Sequence, residues 1–389
     1  MEVTITGDQA YIKNLNRSIV LNLLRFHSPL TRVEIARRTG LTKATVSSIV
    51  DQLIKEAYVL EVGQAPSKGV GRKPVSIRFN PDAGRVIGVD LGVDYYRVLV
   101  LDLSASVVQH YEGTLHDASR VDEAMEPMLR DLKRAVAQSG STRLGVIGVG
   151  IGIPGLVDAK RGVVLNAPNL RWRDVPLRAM LDEALGLPIV IDNEANAGAI
   201  GEQLYGAGKG VANMVYLSLA RGIGTGIILN NQLIRGESGV AGEFGHMTID
   251  LNGPTCSCGN RGCLELYASE KAVVNRYLEL SGESHAFVDI VRRMDAGDPY
   301  AVDAIRLAGQ HLGIGLASLA NGLNPALILI STRFQSVNHL LTESISAVLR
   351  ERSFIHPYSP PRVQGSAFGP LSCAIGAASL VLQSHFSGP

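Results

Sequence analysis

Three of the four cysteines in the 389-residue chain fall within eight positions, as Cys256, Cys258 and Cys263, and His246 lies ten residues before the first of them. One imidazole and three thiolates form a complete donor set for a tetrahedral zinc ion. A closed set leaves no coordination position for an activated water. The chemistry it points to is therefore structural: one zinc per chain, fastening the Gly-rich stretch from Gly242 to Glu265. The alternatives are a disulfide or chance clustering, and only Cys373 remains elsewhere to pair. Glu243 and Glu265 flank the cluster, and a metal-bound imidazole keeps its second ring nitrogen free to meet a ligand.

A loop of this kind needs a scaffold, and the flanking sequence supplies an α/β one. After Asn80-Pro81-Asp82-Ala83-Gly84, strand and helix patterns alternate to the end of the chain. Val86–Leu91 with Tyr96–Leu103, and Met214–Ala220 with Gly222–Asn230, read as two hairpin-like pairs, each followed by further helices and strands. Other expected strands are Gly145–Ile151, Pro188–Ile191 and Ala326–Ile330, and expected helices include Val121–Ala137, Ala195–Leu204 and Tyr300–Asn321. The repetition predicts two related halves with a ligand between them.

The first 80 residues differ in kind. They carry 12 Lys/Arg against 6 Asp/Glu, a charge of +6, whereas the remainder carries 25 against 30, or −5. The net +1 thus hides a basic head on an acidic body, and a basic head suits a polyanionic partner. One helix is expected from Lys13 to His27. Thr31 and Glu34 form a capping box for a second, with Leu30 and Ile35 as its hydrophobic staple and Gly40 as its stop. Thr42 caps a third, whose core stripe is Val46, Ile49, Val50 and Leu53. The turn Thr39-Gly40-Leu41 is as short as a helix-turn-helix requires. The outward face then shows Lys43, Thr45, Ser47 and Ser48, small polar groups and one cation that can approach base edges and phosphates, with Thr42 at the helix start. Two strands, Tyr58–Val62 and Val75–Phe79, enclose the wing GQAPSKGVGRKP, whose Lys68, Arg72 and Lys73 suit phosphate or minor-groove contact. The alternative is a helix-turn-helix used only for protein contact.

A hydrophobic content of 46% is ample for a sizeable core. The opening residues show no apolar run of signal-peptide type, and the longest uncharged apolar run, Leu144 to Val157, is too short to span a bilayer. A cytoplasmic protein without a membrane partner is expected.

Three motifs in one order carry a resemblance over nearly the whole chain: GIGIPGLVD at Gly150–Asp158, IDNEANAGAIGE at Ile191–Glu202, and GEFGH followed by CSCGNRGCLE. The chain resembles the ROK family of repressors and sugar kinases. Its N-terminal run and the wing GRKP are similar to those of the family's xylose repressors in particular. The resemblance implies a winged helix-turn-helix over residues 1–80 and a two-lobed actin/hexokinase-like body, with a first lobe over 81–192. The second lobe would span 193–389, its last helix returning to the first. Sugar hydroxyls would be held by Asn193, Glu194, Glu243, His246 and Glu265, with Gly155 nearby. Carboxylates and an amide can pair with vicinal hydroxyls, which fits that role.

The departures from the kinase pattern are as informative. The first phosphate loop, D-x-G-G-T in the kinases, here reads Asp90-Leu91-Gly92-Val93-Asp94, and the second, L-G-T-G, reads Leu219-Ala220-Arg221-Gly222. The Asp94 carboxylate would repel a phosphate that glycine and threonine donors hold. Ser331-Thr332 replaces a glycine pair, and Glu194 stands where the kinases place a catalytic Asp. The expected function is therefore a repressor of double-stranded operator DNA, a homodimer or dimer of dimers, released by a free monosaccharide. Xylose is favoured, glucose is the other candidate, and no residue is assigned as catalytic. The rival reading is a ROK sugar kinase with an appended DNA-binding domain.

Overall fold

The computed structural model describes residues 8–64, 74–115 and 117–387. The head holds helices α1 (Gln9–His27), α2 (Arg32–Thr39) and α3 (Lys43–Lys55). Strands β1 (Leu30–Thr31), β2 (Val59–Gln64) and β3 (Val75–Phe79) form its antiparallel sheet, in the order β1-β3-β2. The capping box is made: Thr31 accepts from the Glu34 amide at 3.3 Å while Glu34 accepts from the Thr31 amide at 2.8 Å. Gly40 then adopts a left-handed φ of 72°, which a side chain disfavours, and so ends α2. The first helix starts at Gln9, earlier than the apolar spacing suggests, because Asp8 caps it.

The body begins with β4 (Arg85–Leu91), β5 (Tyr95–Asp102), β6 (Val107–Thr114), helix α4 (Val121–Ser139) and β7 (Val146–Ile153). A small sheet of β8 (Leu156–Asp158), β9 (Val163–Ala167) and β10 (Trp172–Val175), which the sequence pattern did not reveal, precedes α5 (Leu177–Leu185) and β11 (Ile189–Asn193). The second half follows as α6 (Glu194–Tyr205), β12 (Met214–Leu219), β13 (Ile223–Leu229) and β14 (Gln232–Leu233). Helices α7 (Glu265–Ala268), α8 (Glu270–Ser281), α9 (Phe287–Asp295) and α10 (Pro299–Leu323) lead to β15 (Leu327–Ser331). The chain closes with α11 (Gln335–Arg352), β16 (Arg362–Gly365) and α12 (Ser372–Phe386).

The two large sheets share one topology. The orders are β11-β7-β4-β5-β6 and β16-β15-β12-β13-β14, each with three parallel strands followed by two antiparallel ones. This is the duplication that the paired hairpins predicted. Between the sheets the helices are exchanged: α6 packs on β12 and β13 of the second, and α12 on β4 and β7 of the first. Their crossing is close enough that a Cβ on Gly376 would lie 1.7 Å from the Ala197 carbonyl oxygen, so only glycine fits there. One apolar core runs from Val20, Leu24 and Phe79 of the head into Ala378, Leu382 and Phe386 of α12, so the head is packed onto the body rather than tethered to it.

Candidate functional site

A cleft between the lobes encloses about 1420 Å³ of empty space, its open mouth included. Its lining brings together every residue that the sequence singled out for a sugar: Gly155, Asn193, Glu194, Glu243, His246 and Glu265.

Strand β11 runs straight into α6, which sets Asn193 and Glu194 at the cleft floor. Asn193 is the N-cap, its Oδ1 accepting from the amides of Ala195 at 2.8 Å and Asn196 at 3.2 Å. Its Nδ2 donates to the Gly155 carbonyl at 3.0 Å and to Glu194 at 2.9 Å. All four hydrogen bonds available to the amide are thus in use. The sequence reading did not foresee this capping role. Burial pushes Glu194 up to about 8, with the charges of Glu243 and Asp90 adding to the effect. Glu243 is likewise held above its ordinary value, first by burial, with His246 opposing and Glu265 reinforcing. Two glycines, Gly222 just before β13 and Gly224 within it, let Glu265 and Glu194 approach the chain closely. A Cβ at Gly224 would lie 2.8 Å from Glu194 Oε1, and one at Gly222 would lie 2.7 Å from Glu265 Oε2.

Beside the cleft, one donor atom from each of His246, Cys256, Cys258 and Cys263 lies within 4.8 Å of all the others. The sulfurs of Cys258 and Cys263 are 3.7 Å apart, and Cys256 Sγ is 3.6 Å from His246 Nδ1. All four cysteines are free thiols, which removes the disulfide alternative. A tetrahedral ion about 2.3 Å from each sulfur spaces them by about 3.8 Å, so the donors already stand where a metal needs them. With Nδ1 turned to the cluster, the other ring nitrogen of His246 is left for the cleft. Glu265 touches both features, its Oε1 3.5 Å from Cys256 Sγ and 3.8 Å from His246 Nδ1.

The far end of the cleft is occupied by its own side chains. Asp94, in the turn between β4 and β5, meets Arg221 at 3.2 Å and Arg333 at 3.5 Å, both from the second lobe. Arg333 also faces Glu270 at 3.6 Å. The guanidiniums of Arg97 and Arg333 lie over the Tyr95 ring, 4.3 and 5.0 Å from its centre. Buried Asp90 accepts from Tyr95 at 3.1 Å and Arg97 at 3.2 Å. Ser331 donates to the Gly369 carbonyl at 2.9 Å, and Thr332 donates to that of Phe334 at 2.7 Å. A second bridge between the lobes, Arg235 to buried Asp192 with contacts of 3.0 and 2.5 Å, was also missed from sequence. The partners that join the lobes, Asp94 with Arg221 and Arg333 and Asp192 with Arg235, come from distant segments, and no local pattern announces them.

On the head, Thr42 caps α3 and its hydroxyl lies 2.9 Å from that of Thr45. Thr42, Lys43 and Ser48 are exposed, Thr45 and Ser47 half-buried, and Val46, Ile49, Val50 and Leu53 fill the core side. Arg37 and Arg38, exposed in the last turn of α2 just before the turn into α3, add two cations to the head that had not been singled out. Lys68, Arg72 and Lys73 of the wing lie outside the described residues.

A helix-turn-helix head fused to a two-lobed, sugar-kinase-like body with a thiol-rich loop defines the class. The chain belongs to the ROK family, whose model matches residues 86–384, while a MarR family model matches residues 14–72. It is 38% identical to the xylose repressor of Bacillus subtilis over 98% of both chains. In fold it is similar to a ROK family transcriptional regulator described as a homolog of the E. coli MLC protein, with a TM-score of 0.83, 28% identity and coverage of 97% of this chain and 98% of the other. It also resembles a ROK family glucokinase from Streptomyces griseus solved with glucose and AMPPNP. There the TM-score is 0.69 and the identity 32%, and the match covers 76% of this chain and 99% of the kinase.

Proposed function

We propose that the protein is a sugar-responsive transcriptional repressor: the head binds operator DNA, and a free monosaccharide in the interlobe cleft releases it. It is not a kinase. The observation that carries this reading is the contrast within one cleft, where Glu194, Glu243 and His246 face open space while the phosphate end is filled by Tyr95 and the Asp94–Arg221–Arg333 ion pairs. Xylose is the favoured inducer and glucose the second candidate, since full-length similarity runs to a xylose repressor. Glu194, Glu243, Glu265 and His246 accept and donate to the sugar hydroxyls; Asn193 joins them by exchanging its bond to Glu194, and Gly155 shapes the floor. The metal is zinc, one per chain. It fixes His246 and Glu265 and supplies no open coordination position. Thr42, Lys43, Thr45, Ser47 and Ser48 face the major groove, with Lys68, Arg72 and Lys73 on phosphates or in the minor groove. Repression uses two heads, so the working form is a homodimer or a dimer of dimers. No helix among the described residues is long and apolar enough to cross a membrane, and we assign the protein to the cytoplasm.

Thermal unfolding against a panel of aldoses tests this reading. Xylose, or failing it glucose, should raise the midpoint in proportion to the logarithm of its concentration above Kd, and ATP should add nothing. Stabilisation by no sugar overturns it, as does ADP formation with any sugar above an ATP-hydrolysis blank.

A further inference from the structure

Helices α6 and α12 each have one end in the cleft and the other under the head. The first turn of α6 carries Asn193 as its cap and Glu194, and its last residue, Tyr205, accepts a hydrogen bond from Arg25 of α1. Cys373, at the start of α12, lines the cleft. At the other end of α12, His385 Nε2 lies 2.8 Å from the Tyr58 hydroxyl, and the Phe386 carbonyl accepts from Asn22 of α1 at 3.0 Å. Arg25 also lies 4.6 Å above the Phe386 ring, and its Nε is buried without a hydrogen-bond partner among the described residues. By helical rise the two rods are about 18 and 22 Å long, the distance over which a signal from cleft to head must travel.

Nothing between the ends is loose. Residues 195–202 of α6 and 372–379 of α12 are all buried, and they meet at the close Gly376–Ala197 crossing. Glu202, fully buried, ties α6 to the segment entering α12. It accepts from the amides of Ala207 at 2.9 Å, Ala367 at 3.1 Å and Phe368 at 3.0 Å, and from the Ser372 hydroxyl at 3.0 Å. Buried rods in such close contact move as bodies rather than deform, and helix shifts of about 1–2 Å are a common form of switching.

We propose that the α6–α12 pair is the lever that couples the cleft to the DNA-binding head, with Arg25 as the residue of α1 on which both helices act. The inference rests on the repressor reading above. A sugar drawing on Glu194 and Asn193 displaces the start of α6. The crossing and Glu202 carry α12 with it, and both C-terminal ends push on α1, which packs against α2 and α3. Arg25 positions the head and touches neither sugar nor DNA.

The test uses the full chain and three numbers for each variant: xylose affinity, affinity for a selected DNA duplex without sugar, and the factor by which saturating xylose weakens that DNA binding. Arg25→Gln, and separately Tyr205→Phe, should keep the first two within about threefold of wild type and cut the release factor at least fivefold, within the usual range of allosteric couplings. Hydrogen exchange in α1 should respond to xylose in the wild type and not in these variants. A release factor within twofold of wild type in both variants overturns the lever. So does loss of sugar or DNA affinity in the folded variants, which would place these residues in a binding site. Should Arg25→Gln not fold, Tyr205→Phe, which removes one hydroxyl, decides alone. A wild type that binds sugar without releasing DNA, or binds no sugar, overturns the repressor reading and the lever with it.

Discussion

The two ends of the interlobe cleft are built from similar residue types and have opposite fates. At the sugar end Glu194, half-buried, and Glu243, exposed to the cleft, pair with no arginine or lysine among the described residues, and desolvation holds both above the ordinary carboxylate range. At the phosphate end Asp90, Asp94 and Glu270 each face an arginine. Burial raises Asp90 and Glu270 as well, so the difference lies in the partners: carboxylates without a cation stay available to a ligand, whereas paired ones complete a structure. The contrast separates a site kept for a ligand from one that the chain has closed with its own side chains.

The largest effect should come from removing the metal, because it frees His246 and Glu265 on the sugar side only. Metal analysis should find about one zinc per chain, and Cys258→Ser should hold none and lose the sugar response. We expect its melting midpoint to fall by about 5 °C or more, equivalent to about 4 kcal/mol for a chain of this length. Folded protein with no metal and chemically free Cys256, Cys258 and Cys263 contradicts this.

Next in size is the loss of the sugar contacts. At a xylose concentration 100 times Kd the wild type should gain about 2.7 kcal/mol, and Glu243→Gln should lose most of it while still binding DNA. Calorimetry with equal affinity in the two proteins would remove Glu243 from the site.

The pH dependence of stability sharpens the same contrast. The folded value of Glu194 is about 8 against an ordinary 4.5, so the folded state keeps a proton that the unfolded chain releases. Stability should therefore fall as pH rises from about 4.5 to about 8 and level off above that. Glu194→Gln should flatten that stretch of the curve, measured by denaturant unfolding at several pH values. An unchanged slope would mean that Glu194 ionises normally.

The smallest effect belongs to the phosphate end. Asp94 and Arg221 are each about half exposed, so Asp94→Ala should change stability by less than about 1 kcal/mol. It should not restore phosphoryl transfer, since Tyr95, Ser331 and Thr332 still fill the space. Turnover in this variant would show the phosphate end to be latched rather than lost.

The metal cluster beside the cleft was legible in the sequence because its chemistry is local, whereas Gly155, Asn193 and Glu194 entered only through the family resemblance. His246, the three cysteines and the flanking acids fall within 24 residues, and metal spacing is read along the chain. The capping box at Thr31 and Glu34 is local in the same way, and so are the repeated hairpins. What closes the phosphate end is not local. Asp94 lies 127 residues from Arg221 and 239 from Arg333, and neither spacing nor periodicity links residues so far apart. The capping role of Asn193 was hidden for another reason: an amide that suits a sugar suits a helix start equally well. The small sheet from β8 to β10 has strands of three to five residues, too short for alternation to stand out.

Repression and its release depend on a single coupling, between a sugar in the cleft and DNA on the head. The most direct measurement is fluorescence anisotropy of the full-length protein on a duplex it has selected from a random pool, titrated with xylose and glucose, alongside Glu265→Ala. Sugar should release the DNA from the wild type, and the variant should bind the same duplex and stay bound. Release at the wild-type sugar concentration by the variant, or a wild type that binds sugar and holds its DNA unchanged, would contradict this.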